Sequence, residues 1–135
     1  QTDIAATVKA LRAHEGTAGQ KIASIGYCMG GLLSYRTAAD GLVDTAVAYY
    51  GGGIQNGLDR ADEIKVPVLM HFGSADSHIP NEAVKAIAER FEGVESVEIH
   101  VYQGAEHGFN CNHRDSYNQR AAAEGLLAIR AFARP

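Results

Sequence analysis

Short apolar runs alternate with helical patterns along this chain, and this alternation restricts the fold more than any other feature. We predict strands over residues 21–26, 43–50, 66–72 and 96–102, and helices over residues 2–14, 29–40, 82–91 and 116–132. Strands that alternate with helices form a mostly parallel sheet with helices on its faces. The sequence therefore predicts an α/β fold with a parallel sheet of about four strands and flanking helices.

The predicted strands differ in pattern. Residues 21–26 form an apolar run that ends in glycine, which is typical of a buried strand, whereas residues 96–102 alternate between apolar and polar side chains like an edge strand. Between the second and third strands, residues 54–64 are predicted to be a polar connection. Pro80 suits the first position of the third helix, where its missing N–H costs nothing.

The composition describes one ordinary globular domain over residues 1–135. The net charge of −4 and the pI near 5.8 speak against a nucleic-acid partner, which requires a basic face. No apolar run approaches the roughly 20 residues of a membrane span, and the N-terminal residues lack a signal-peptide core. Two cysteines are too few for a disulfide framework. We therefore predict a cytoplasmic, reduced protein with no membrane or nucleic-acid partner.

The sharpest motif, Gly26–Gly31 (GYCMGG), lies between a predicted strand and a predicted helix. It fits the nucleophile elbow, in which a strained strand-to-helix turn exposes the central side chain at the edge of the sheet. Cys28 would be the nucleophile, and the dipole of the following helix favours its thiolate. The backbone N–H of Met29 would donate to an oxyanion.

The glycine-rich motif also has three alternative interpretations. A buried structural cysteine in a glycine-rich turn is the plainest alternative, because cysteine is among the most buried residue types. A dinucleotide-binding fingerprint needs a glycine where Cys28 stands. A phosphatase loop needs an arginine soon after the cysteine, but Ser34 stands at that position and Arg36 lies too far along the helix.

An elbow nucleophile requires an acid and then a histidine later in the chain. Asp76 follows the predicted strand at 66–72, and His107 follows the predicted strand at 96–102. Both residues stand where the order requires them. We therefore predict that Cys28, Asp76 and His107 form a catalytic triad.

The remaining titratable residues are assigned to packing or to solvent. We expect His71 and His100 to pack within strands, His14 and His113 to be solvated, and Glu106 to be a surface carboxylate. His78 is close to Asp76 in sequence and is a candidate for the rim of the site. No His-x-x-x-His or Cys-x-x-Cys spacing occurs, so no metal site is predicted.

The segments KIASIGYCMGG, VPVLMHFGSAD and YQGAEHGFNC, which contain the three triad candidates, resemble the C-terminal part of the dienelactone hydrolase family. The resemblance extends over essentially all of the chain. It implies a truncated α/β-hydrolase fold and hydrolysis of esters or lactones through a thioester intermediate, without a cofactor. By resemblance, Cys28, Asp76 and His107 take the three catalytic roles.

The chain departs from the family in two ways. Family members carry about another hundred residues before this region, and these supply a second oxyanion donor and a glutamate that helps to activate the cysteine. The chain begins at Gln1, so we expect a fragment or a processed product with weak activity or none. Secondly, Cys111 stands where dienelactone hydrolases have an arginine that grips the substrate carboxylate. The substrate therefore need not be a dienelactone. His78, Phe109 and Cys111 are candidates for contact with the substrate.

Two further interpretations follow from the sequence. The chain is an enzyme, or it keeps the triad by descent and acts as a binding or structural module. A glutamine amidotransferase is disfavoured because Gly108 and Phe109 follow His107, where that class has a His-x-Glu pair. Without neighbouring strands, residues 21–26 would form an exposed apolar edge, and we predict a homodimer that covers it.

Overall fold

The computed structural model describes residues 2–133. In chain order its elements are α1 (Thr2–Ala13), β1 (Ala23–Tyr27), α2 (Met29–Ala39), β2 (Thr45–Tyr49), a 3₁₀ helix (Ile54–Glu63), β3 (Val68–Gly73), α3 (Asn81–Arg90), β4 (Val97–Tyr102) and α4 (Gln119–Phe132). No helix in this part of the chain combines the length and the apolar character needed to cross a membrane.

The four strands form one sheet in the order β1-β2-β3-β4, and every neighbouring pair is parallel. All six residues of β3 are buried, which accounts for a sequence that is apolar except at His71. β1 and β4 form the two edges within residues 2–133. The predicted α/β fold with a four-stranded parallel sheet is therefore confirmed.

Helices cover both faces of the sheet. On one face, the Ser24 hydroxyl of β1 lies 2.7 Å from the Ser34 hydroxyl of α2. On the other face, α4 packs close to the sheet at Gly125, where an added side-chain carbon would lie 2.8 Å from the Tyr49 hydroxyl oxygen. Alternating side chains of a strand point to opposite faces, so Ser24 and Tyr27 of β1 face different helices.

The segment predicted as a polar connection is instead a 3₁₀ helix at Ile54–Glu63. Ile54 is fully buried and Ala61 is nearly so, so one side of the segment belongs to the core. Gly57, with non-helical backbone angles, interrupts the helix and obscures its periodicity in the sequence.

Most element boundaries also differ from prediction by one to three residues, and three of them have a clear local cause. β1 begins at Ala23 rather than at residue 21, because the Ile22 N–H donates to the Asp44 carboxylate (2.7 Å) instead of pairing in the sheet. Pro80 caps α3 from the position before the helix. α4 begins at Gln119 rather than at residue 116, because the preceding Asn118 side chain accepts a hydrogen bond from the Ala121 N–H.

β1 is more exposed than a buried strand. Ile25 is 54% exposed and Tyr27 is 45% exposed. The prediction that residues 21–26 form a buried strand was therefore wrong in burial and in bounds. The expectation that this strand lies at an edge of the sheet is correct for residues 2–133.

A row of stacked rings crosses the whole sheet on the α4 side. Tyr27, Tyr49, His71 and His100 are partners in the strand register, and their successive ring centroids lie 5.0, 4.2 and 5.8 Å apart. His71 is fully buried and its Nδ1 lies 2.8 Å from the Tyr102 hydroxyl. Burial, and secondly the charge of His100, lowers the pKa of His71 to about 3. The prediction that His71 serves packing is thus confirmed.

This lowered pKa makes stability depend on pH. An unfolded histidine titrates near a pKa of roughly 6.5, so the contribution of neutral His71 is complete above that pH and is lost as the pH falls from about 6.5 towards 3. As the pH falls through this range, the free energy of unfolding of the parent protein should decrease. In the double variant His71→Phe/Tyr102→Phe the decrease should be smaller, by up to about 1.4 kcal/mol per pH unit. Urea unfolding at several pH values between these limits measures the difference.

The control for this measurement is His100→Gln, which changes the half-exposed histidine of the same row. It should change the pH dependence of the free energy of unfolding less than the double variant does, because the charge of His100 is only the second cause of the lowered pKa of His71. The same slope in the double variant and in the parent would contradict the assignment to His71.

Candidate active site

The ends of the four parallel strands bring together the residues that follow them. Cys28 follows β1, Tyr50 follows β2, Asp76 comes three residues after β3, and His107 comes five residues after β4. In parallel sheets with helices on their faces, ligands bind at the carboxyl ends of the strands. This edge is therefore the candidate active site.

Cys28 occupies a strained turn between β1 and α2. Its backbone angles are φ 57° and ψ −118°, a conformation that non-glycine residues rarely adopt. Its N–H donates to the Tyr49 carbonyl (3.0 Å), and its own carbonyl accepts from the Gly31 N–H (2.9 Å). Cys28 is exposed and is not part of a disulfide. Met29 opens α2, so its N–H has no acceptor within the helix.

Two glycines of the motif are required by space. A side-chain carbon at Gly26 would overlap the Gly30 carbonyl oxygen, and one at Gly31 would lie 2.5 Å from the Tyr49 carbonyl oxygen. A side-chain carbon at Gly30 would meet nothing within 4 Å. The crossing of α2 over the ends of β1 and β2 therefore depends on Gly26 and Gly31, and not on Gly30.

Asp76 and His107 are joined by a hydrogen bond in which the imidazole Nδ1 lies 2.8 Å from the Asp76 carboxylate. The other oxygen of that carboxylate accepts the backbone N–H groups of His78 (2.8 Å) and Ile79 (3.0 Å). Both side chains of the pair are at least nine-tenths buried. Because Nδ1 is engaged, Nε2 is the nitrogen left for chemistry. It is buried and has no hydrogen-bond partner among residues 2–133, Cys28 included.

Glu106 has a structural task that the sequence did not reveal. Its carboxylate accepts the backbone N–H groups of Ser77 (2.6 Å) and His107 (2.7 Å). These bonds, led by that from His107, lower the pKa of Glu106 below its ordinary value. The carboxylate thereby ties the loop after β3 to the loop after β4. Glu106 is thus a partly exposed carboxylate, as expected, but its hydrogen bonds to the two loops were not predicted.

A cavity of about 450 Å³ opens beside the elbow. It is lined by Tyr27, Cys28, Tyr50, Gly108, Asn110, Cys111, Asn112 and Arg114. The sequence prediction had named Cys28 and Cys111 among these. It missed Tyr50, although the position of Tyr50 directly after a parallel strand and before three glycines could have identified it.

The other candidates lie elsewhere. His78 is exposed, with its ring centroid 4.6 Å from that of His107, so it lies beside the histidine and not in the cavity wall. Phe109 is fully buried beneath Tyr50, at a centroid distance of 5.2 Å, and belongs to the core. His14 and His113 are exposed as predicted.

Asp76, His78 and His107 are also the residues that could hold a metal ion, since one ligand atom from each lies within 4.8 Å of the others. The 2.8 Å separation between Asp76 and His107 is shorter than the roughly 3.3 Å between ligands of a tetrahedral zinc ion. An ion at these atoms would have to replace the hydrogen bond of the pair.

The comparisons with known proteins agree with this geometry. The model of the dienelactone hydrolase family matches residues 1–134. A carboxymethylenebutenolidase of Pseudomonas putida is 36% identical over 121 residues, which cover 90% of this chain and 51% of the relative. The chain spans about half the length of the curated relatives it matches.

Solved structures match as well. A protein of Klebsiella pneumoniae subsp. pneumoniae assigned to the dienelactone hydrolases superposes with a TM-score of 0.83 and 28% identity, covering 96% of this chain and 58% of that one. A dienelactone hydrolase-like promiscuous phosphotriesterase from metagenomic libraries gives a TM-score of 0.81 and 26% identity, covering 95% and 58%.

The parallel sheet with a strained turn after β1 defines an α/β-hydrolase fold, represented here by part of its usual length. Within that class, the chain belongs to the dienelactone hydrolase family.

The glycine contacts predict a contrast between two neighbouring substitutions. Gly26→Ala forces a methyl group into the Gly30 carbonyl and should cost about 3 kcal/mol or more of the free energy of unfolding, since both sides of the clash are backbone. Gly30→Ala enters open space and should be neutral or stabilise by up to about 1 kcal/mol. Urea midpoints of both variants measure this contrast, and equal losses would contradict it.

Proposed function

We propose that this protein hydrolyses carboxylic esters or lactones, with Cys28 as nucleophile, His107 as base and Asp76 as the residue that orients the imidazole. The observation that carries the proposal is the buried Asp76–His107 hydrogen bond of 2.8 Å. It engages Nδ1 and leaves Nε2 without a protein partner in residues 2–133, at the same sheet edge as the strained Cys28.

In the proposed reaction, the Cys28 sulfur attacks the carbonyl carbon while His107 Nε2 takes the thiol proton. The Met29 N–H stabilises the oxyanion. Collapse of the tetrahedral intermediate forms a thioester and releases the alcohol, which receives the proton from His107. Water then attacks the thioester, again with His107 as base, and releases the acid. Free thiols are the rule in the reducing cytosol, where disulfides are rare, and on this ground we propose a cytoplasmic location.

Two findings bear on the substrate. The Pseudomonas putida relative is named a carboxymethylenebutenolidase, which supports a lactone or ester as the substrate class here. Position 111, however, is a half-buried cysteine in the cavity wall. Cysteine lacks the positive charge that grips a carboxylate, while Arg114 places one elsewhere in the same cavity wall. We therefore propose an ester or lactone that need not be a dienelactone.

The central prediction concerns covalent acylation. On incubation with p-nitrophenyl acetate, the protein should gain one acetyl group on Cys28, located by intact mass and peptide mapping, even when turnover is slow. Cys28→Ala should abolish this acylation, and His107→Gln should slow it about 10²- to 10⁴-fold through loss of the base.

The matched control is Cys111→Ala, which removes the other cysteine of the same cavity. It should leave the acetylation of Cys28 in place. Acylation of Cys111 in the parent protein, or undiminished ester hydrolysis by Cys28→Ala, would overturn the proposed mechanism. Absence of acylation altogether would favour a binding or structural module.

We also propose that the protein forms a homodimer through the β1 edge. The outer side of β1 has no partner strand within residues 2–133, and Ile25 and Tyr27 are both about half exposed. An apolar edge strand of this kind pairs readily with a second strand, and a two-fold dimer is the commonest closed assembly.

Sedimentation equilibrium at micromolar concentration tests the dimer. The expected mass is about twice the 14.4 kDa of the chain, and Ile25→Lys, which places a charge on the edge strand, should reduce it to the monomer mass. A single species near 14.4 kDa in the parent would rule the dimer out.

A further inference from the structure

Tyr50 is the second strained non-glycine residue of the described chain, after Cys28. Its φ is 37°, although it is an aromatic residue and only 3% exposed. Its N–H is held by the His71 carbonyl at 2.7 Å. Such a conformation costs about 1–3 kcal/mol and persists where the surrounding structure imposes it, often at functional sites.

The strained backbone changes the direction in which the ring points. In a continuing strand, Tyr50 would project to the opposite face from Tyr49. Instead both rings contact Phe109, at centroid distances of 6.0 Å from Tyr49 and 5.2 Å from Tyr50. The Tyr50 ring also lies 5.0 Å from the His107 ring and faces the cavity that contains Cys28.

The Tyr50 phenol is presented as a neutral donor. Burial raises its pKa to about 12, so the hydroxyl keeps its proton at any physiological pH. A backbone hydrogen bond from Asn110 acts in the opposite direction and lowers this pKa, but burial has the larger effect. No hydrogen bond from the Tyr50 hydroxyl to an acceptor is formed within residues 2–133, which leaves the proton free to meet a ligand.

We propose that the Tyr50 hydroxyl is a substrate-binding group of the cavity, which donates a hydrogen bond to an oxygen of the bound ester or lactone while the ring positions His107. The proposal rests on the proposed function and adds a specificity-determining residue to it. A neutral hydroxyl donor can bind the carbonyl oxygen of an ester or the ring oxygen of a lactone, and it does not favour binding of a cation. It would add a side-chain donor to the proposed oxyanion donor, the Met29 N–H.

Binding of benzylacetone, the ketone analogue of benzyl acetate, tests the hydroxyl without requiring turnover. The titration uses Cys28→Ala protein, so that no covalent adduct forms. Adding Tyr50→Phe removes one oxygen and keeps the ring, and should raise the Kd about 3- to 10-fold, the value of one neutral hydrogen bond. Adding Tyr35→Phe instead is the control, since that buried hydroxyl donates to the Gly57 carbonyl, and should leave the Kd unchanged.

Equal Kd values with and without the Tyr50 hydroxyl, or no saturable binding to either protein, would overturn the proposal. In protein with intact Cys28, Tyr50→Phe should raise KM for benzyl acetate by a similar factor. A purely structural role would lower the melting temperature without this effect. If the proposed function is wrong, Cys28→Ala will hydrolyse esters as fast as the parent protein. The binding of the ketone can still be compared in that case, because it does not depend on turnover.

Discussion

The hydrogen bond from the Cys28 N–H to the Tyr49 carbonyl (3.0 Å) is the contact on which the functional edge of the sheet depends. It extends the pairing of β1 and β2 by one residue, to the point where the chain turns into α2. Similar bonds follow the next strands, from the Tyr50 N–H to the His71 carbonyl (2.7 Å) and from the Ser74 N–H to the Tyr102 carbonyl (3.0 Å). Strained residues are therefore fixed to neighbouring strands.

This backbone network allows the edge to hold unfavourable conformations. Cys28 and Tyr50 both have positive φ angles, and each would relax if its N–H were free. The Glu106 carboxylate joins the loops of Asp76 and His107 in the same way, through backbone N–H groups. The side chains that carry the proposed chemistry are thus held through backbone N–H groups of their own residues or of adjacent ones.

Much of the fold could be predicted because strong local signals agreed with the tertiary structure. β3 is buried on both faces, so its sequence is apolar except at His71, and glycines mark the strand ends. The order of Cys28, Asp76 and His107 along the chain was sufficient to predict that Asp76 and His107 meet, because parallel strands place their following loops at one edge. The 3₁₀ helix escaped prediction since Gly57 breaks its period.

The features that could not be predicted depend on contacts between distant segments. The positive φ of Tyr50 is imposed by His71 and Phe109, which are 21 and 59 residues away in the printed sequence, and tyrosine carries no sign of it. Glu106 forms hydrogen bonds to backbone groups whose position requires the folded loops. From residue type alone, Tyr50 would be predicted to be an ordinary core residue and Glu106 an ordinary surface residue.

The strand order has a consequence for synthesis. Because β1, β2, β3 and β4 lie side by side in the order in which they occur in the chain, each strand can pair with its predecessor as soon as it leaves the ribosome. Within residues 2–133, no strand has to be inserted between two strands that paired before it. In this part of the chain the sheet can therefore be extended at one edge, from β1 towards β4, as translation proceeds. The loop of His107 is synthesised after Cys28 and Asp76, so the strand that leads to the nucleophile can pair before the base is available.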